Sequence, residues 1–73
     1  MNELEIASAP MHRLCKKVGA TRVSEAAAKE LAKVLEEIGF KIAKEALDYA
    51  KYAGRKTIKV ADIEIAVRKV MGK

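Results

Sequence analysis

One uninterrupted helical run occupies the middle of this 73-residue chain and limits what the rest can do. Ala28, Leu31, Leu35, Ile38, Ile42, Ala46, Tyr49 and Ala53 follow one another in steps of three and four, which places them on one helix face. A second apolar line, Ala27, Val34, Phe40, Ala43, Leu47 and Ala50, flanks the first. Ser24 is a good N-cap, Glu25 suits the positive end of a helix, and Gly54 is the expected stop. The spacing predicts a helix over 25–52, about 42 Å long. Strict heptads do not persist, because Glu45 would fall at a core position. A straight helix crossed by a partner therefore fits better than a coiled coil.

Two shorter helices flank it. Pro10 suits a first turn and Gly19 a stop, so a helix is predicted over 10–18 with Met11, Leu14, Cys15 and Val18 on one face. Another is predicted over 61–71, with Ile63, Ala66, Val67 and Val70 inward and Gly72 at its end. The class is all-α and the chain is one domain. Two short helices cannot cover both apolar lines of so long a rod. An obligate dimer is expected, its long helices crossing near Ile38 and Ile42, with Leu31 and Leu35 in the same core. Gly39, at the midpoint, would allow a close approach of backbones, at about 1 kcal/mol relative to alanine.

The charge is uneven. Residues 11–23 carry Arg13, Lys16, Lys17 and Arg22 with no acid, for +4; residues 51–61 carry Lys51, Arg55, Lys56 and Lys59 with no acid, for another +4. The whole chain is only +5, so the remainder sums to −3. Positive charge held at two places is the footprint of a protein that grips a phosphate backbone. The other lysines of the long helix alternate with acids at i,i+4 spacing, as in Glu25/Lys29 and Glu37/Lys41. That face reads as solvated, and its mixed charge argues against a membrane-surface helix.

Several classes are excluded. Cys15 is the single cysteine, so no disulfide framework is available. No apolar run approaches the roughly 20 residues of a membrane span. The start of the chain, with Glu3 and Glu5, lacks the basic region of a signal peptide. There is no low-complexity segment and no internal repeat. The chain reads as soluble and intracellular. His12 and Cys15 have i,i+3 spacing, but a structural zinc site needs four ligands and no second pair exists. With no acid/base pair off the solvated face and no phosphate-binding glycine loop, neither an enzyme nor a cofactor nor a small-molecule substrate is expected.

A family resemblance covers about residues 4–70. Ala9-Pro10, Arg13, Gly19-Ala20, Arg22-Val23-Ser24, Leu35-Glu36-Glu37-Ile38, Ile42-Ala43, Glu45-Ala46, Ala53-Gly54-Arg55-Lys56-Thr57-Ile58-Lys59, Asp62-Ile63-Glu64 and Ala66-Val67 resemble the small tailless archaeal histones. The resemblance implies a histone fold and an intertwined handshake dimer, with loop 1 of one protomer beside loop 2 of the other. It implies a DNA-binding protein of the chromosome or nucleoid, in the cytoplasm, that wraps, bends and compacts double-stranded DNA without regard to sequence. By the same resemblance Arg22 enters the minor groove, with Thr57 of the other protomer holding it. Lys56, Lys59, Arg13 and Lys16, together with Ser24 and Thr57, contact the backbone. Arg55 and Asp62 form a structural salt bridge. Tyr49, Tyr52, Asp62 and Ile65 lie at the contact between dimers. Tyr52 stands where many members carry a histidine. Its hydroxyl can replace that histidine's bond to Asp62, or its bulk can close the face. Three assemblies stay open: a wrapped superhelix, a DNA-bridging tetramer, or a heterodimer with a histone paralogue or within a transcription or repair complex.

Overall fold

The computed structural model describes residues 8–72. Three helices follow in order: α1, Ser8–Lys17; α2, Glu25–Tyr52; α3, Val60–Met71. Among the described residues there is no strand. Helix α2 has the predicted bounds. Helix α1 begins two residues earlier than Pro10, which costs nothing, because the amide a proline lacks in the first turn has no intrahelical acceptor. Helix α3 begins at Val60, one residue earlier than predicted.

The chain forms two compact units that divide within α2, between Glu37 and Ile38. In the first, Met11 of α1 and Ala28 and Ala32 of α2 are buried, and Val23, Leu31 and Leu35 pack against them. In the second, Ala46, Ala50 and Ala66 are fully buried. Both units are built on alanine, whose small side chain lets helix backbones come close. The return is small, since each buried methyl contributes on the order of 0.8 kcal/mol. Among the described residues no large side chain is fully buried. Leu31, Leu35, Ile38 and Ile42, expected at a dimer core, are half-buried.

The expected inner faces need correction at several positions. Val18 is 81% exposed because α1 ends before it and the chain turns away at Gly19. Leu14 lies at the edge of the α1 stripe and is exposed, and so is Ile63. The second apolar line of α2 is not continuous. Ala50 is buried and Leu47 half-buried, while Ala27, Val34, Phe40 and Ala43 are exposed. Phe40, at 68% exposure, sits two residues from both Ile38 and Ile42, hence about 200° round the helix from each.

A repeat that the residues conceal is visible in the backbone. Helix α1 ends two residues before Gly19, and α2 begins six residues after it. Helix α2 ends two residues before Gly54, and α3 begins six residues after it. The segments 19–24 and 54–59 share only their glycine, so a residue-by-residue reading finds no repeat.

Candidate nucleic-acid interface

Loop 1 starts from a tightly closed helix end. The Gly19 amide donates to the Lys16 carbonyl at 3.0 Å and the Ala20 amide to the Cys15 carbonyl at 3.1 Å. This paired closure needs a left-handed residue, and Gly19 supplies it with φ of 114°. Val23 then anchors the loop on the Met11–Ala28–Ala32 cluster. The Ser24 hydroxyl oxygen accepts the Ala27 amide at 3.0 Å, capping α2. Glu25 ties the two helices of this unit together. Its Oε2 accepts the Ser8 hydroxyl at 2.8 Å, and its Oε1 lies 3.0 Å from His12 Nε2. Bonds from His12 and Ser8, with Lys29 nearby, hold the Glu25 carboxyl below its ordinary value.

Loop 2 closes in the same way and is fastened differently. The Gly54 amide donates to the Lys51 carbonyl at 2.9 Å and the Arg55 amide to the Ala50 carbonyl at 2.8 Å. The Arg55 guanidinium is bidentate on Asp62, with Nη1 to Oδ2 at 2.9 Å and Nη2 to Oδ1 at 3.0 Å. Nη1 also donates to the Thr57 carbonyl at 2.9 Å, so the same group holds the tip of the loop. The Lys59 amide donates to Asp62 Oδ2 at 2.8 Å. A lysine in the N-cap position has no acceptor to offer. Asp62, three residues on, caps α3 from the other side.

Asp62 is only 3% exposed. The Arg55 guanidinium and the Lys59 amide bring its pKa down to about 2, and Arg55 is raised in return.

Fastening the backbones from within leaves the functional side chains facing out. Arg13, Lys16, Lys17, Arg22, Lys56, Thr57 and Lys59 are all exposed. Among the described residues none forms an ion pair with Arg13, Lys16, Arg22, Lys56 or Lys59. The first unit holds Arg13, Lys16, Arg22 and Ser24 together, and the second holds Lys56, Thr57 and Lys59 with the Arg55–Asp62 pair. Tyr52 is 96% exposed, Ile65 is exposed and Tyr49 is half-buried.

Two roles are not apparent from the sequence. Glu25 reads there as a helix-end acid paired with Lys29, and His12 as half of a metal site. The available signal is the i,i+4 spacing of Ser8 and His12, which aims both at the first residue of the next helix. Among the described residues no three His, Cys, Asp or Glu side chains gather to hold a metal. None of the described helices is long and apolar enough to cross a membrane.

Comparison with known proteins agrees with this arrangement. The family described as "Histone-like transcription factor (CBF/NF-Y) and archaeal histone" matches residues 4–67. The chain is 50% identical over 64 residues to a subunit of the archaeal histone HAN1 from Thermococcus zilligii, covering 88% of this chain and 96% of that protein. It is 53% identical over 64 residues to "Probable archaeal histone 3" of Methanocaldococcus jannaschii, with the same coverage of each. Three helices, two loops fastened from inside with their basic side chains outward, and similarity along most of its length make this chain a member of the archaeal histone family, whose fold serves structural DNA binding rather than catalysis.

Proposed function

We propose that this histone-fold protein binds double-stranded DNA without regard to sequence, as a handshake homodimer that bends and wraps it. In this reading loop 1 of one protomer lies beside loop 2 of its partner, and each dimer presents two such paired sites. Arg22 enters the minor groove, where narrow width concentrates negative potential and no base-specific bond is needed. Thr57 of the partner holds its guanidinium. Lys56, Lys59, Arg13, Lys16 and the hydroxyls of Ser24 and Thr57 serve the phosphates. Leu31, Leu35, Ile38 and Ile42, half-buried in one chain, complete their burial against the second copy.

The observation that carries this reading is the division of labour in the loops. Arg55 is spent inside, on Asp62 and the Thr57 carbonyl, while its neighbours Lys56 and Thr57 are exposed. A loop with a pinned backbone and outward cations loses little freedom on meeting a phosphate.

Contact between dimers is assigned to Tyr49, Tyr52, Ile65 and Asp62. A carboxylate has about four acceptor positions, and Asp62 uses three within its own chain. The fourth, on Oδ1, is what the Tyr52 hydroxyl of a neighbouring dimer would take.

Reconstitution on long DNA followed by nuclease digestion tests the wrapped form. A ladder of regularly increasing protected fragments is expected, and Tyr52→Ala should shorten it. Salt-sensitive protection with no ladder would mean that dimers bridge or bend DNA singly. A second reading, pairing with a histone paralogue, is favoured by the name of the Thermococcus relative, which makes that protein one component of a larger histone. Sedimentation of the purified chain separates the two: a homodimer supports the first, a monomer the second.

A further inference from the structure

Helix α1 carries Arg13, yet nothing in loop 1 itself fixes where that helix end lies. Loop 1 is settled by its own contacts, Val23 on the apolar cluster and Ser24 on the Ala27 amide. The N-terminal half of α1 is held by Glu25, which takes the Ser8 hydroxyl on one oxygen and the His12 ring on the other. Ser8 and His12 are one turn apart on the same face of α1, and Arg13 follows His12 directly. Glu25 is the first residue of α2, directly after the Ser24 cap.

We propose that Glu25 is a positioning residue for DNA binding, holding α1 through Ser8 and His12 so that Arg13 meets the same stretch of backbone as Arg22 and Ser24. This rests on the DNA-binding reading above. Two bonds to separate oxygens restrain the rotation of α1 as well as its distance, which one bond would not do. Both partners donate, so Glu25 must be ionised and His12 must carry its hydrogen on Nε2. The charged groups around the clamp are Arg13 and Lys16 on α1 and Lys29 one turn along α2.

Positioning and simple electrostatics predict opposite signs for Glu25→Gln. The substitution removes an acid close to the DNA and raises the net charge by one. Long-range attraction alone would tighten binding. Loss of positioning instead weakens it, by about three- to tenfold. The experiment measures the affinity of the full chain for a short duplex of mixed sequence, in four forms: unaltered, Glu25→Gln, Arg13→Ala and both together. The loss from Glu25→Gln should shrink to under about twofold once Arg13 is absent. Ser8→Ala, which changes no charge, should give a smaller loss of the same kind. His12→Gln, which keeps a donor at the same reach, should restore most of what His12→Ala loses.

Equal or tighter binding by Glu25→Gln overturns the proposal. So does a loss that is undiminished in the Arg13→Ala background, because that marks a general loosening of the fold. If Arg13→Ala and Arg22→Ala are themselves without effect, the DNA-binding reading falls, and that result is distinct from the other two.

Discussion

Loop 1 and loop 2 have the same length and the same glycine closure, but they solve the N-cap of the following helix with opposite halves of one device. In loop 1 the cap residue, Ser24, reaches forward to the Ala27 amide. In loop 2 the third helical residue, Asp62, reaches back to the Lys59 amide. A full capping box has both. Dividing it leaves the cap position of loop 2 free to be a lysine, which can face a phosphate. It also leaves Asp62 placed to take Arg55, and Arg55 to take Thr57. Loop 2 is therefore held by a charged pair within seven residues of sequence. Loop 1 is held by a hydroxyl cap, an aliphatic anchor and a clamp on the preceding helix. One loop is stiff by itself; the other is stiff only as part of its unit.

This contrast can be broken most severely at Asp62. Asp62→Ala leaves Arg55 without its partner, releases the Thr57 carbonyl and uncaps α3. The midpoint of thermal unfolding should fall by on the order of 10 °C. Acid should do the same reversibly. Asp62 titrates near 2 in the folded chain, against 3.8 when unperturbed. Its contribution is complete above about pH 4 and is lost as pH falls through about 2. Glu25 acts in the same sense, its carboxyl also being lowered. Urea unfolding between pH 5 and pH 2 should show this loss, and Asp62→Asn should remove most of it.

Ser24→Ala is the matching break in loop 1, and a smaller one. It removes one cap bond, about 1 kcal/mol in a urea titration, because Val23 and the Glu25 clamp remain. A loss as large as that of Asp62→Ala would mean that the two loops are not fastened differently. The smallest test lies in the closing glycines. No atom stands within 4 Å of a methyl added at either, so only the backbone resists substitution. Gly54 has φ of 76° and Gly19 has 114°. Asparagine tolerates the first far better than the second. Gly54→Asn should cost a few tenths of a kcal/mol and Gly19→Asn about 1 kcal/mol or more.

The helices are legible in the sequence because their signals are local. Ser24, Gly19, Gly54 and Gly72 mark ends through their own conformations, and the long apolar stripe fixes α2. Val18 and Phe40 differ from expectation because periodicity gives a face and not what covers it. The Arg55–Asp62 pair is legible only through resemblance. Its geometry depends on a turn that brings residues seven apart to 2.9 Å, and no propensity encodes that. The Glu25 clamp is hidden because it joins residues 17 and 13 apart across a loop. The repeated helix–glycine–loop–helix frame is hidden because the two segments share backbone geometry and almost no side chains.

The central claim is that two inwardly fastened loops present cations to a phosphate backbone and read no bases. Its most direct test is the affinity of the intact chain for two duplexes of unrelated sequence across a range of salt. Both should give the same linear fall of log K against log salt, with Arg22→Ala and Lys56→Ala each reducing the slope by about 1. A strong preference for one duplex, or an affinity indifferent to salt, would contradict it.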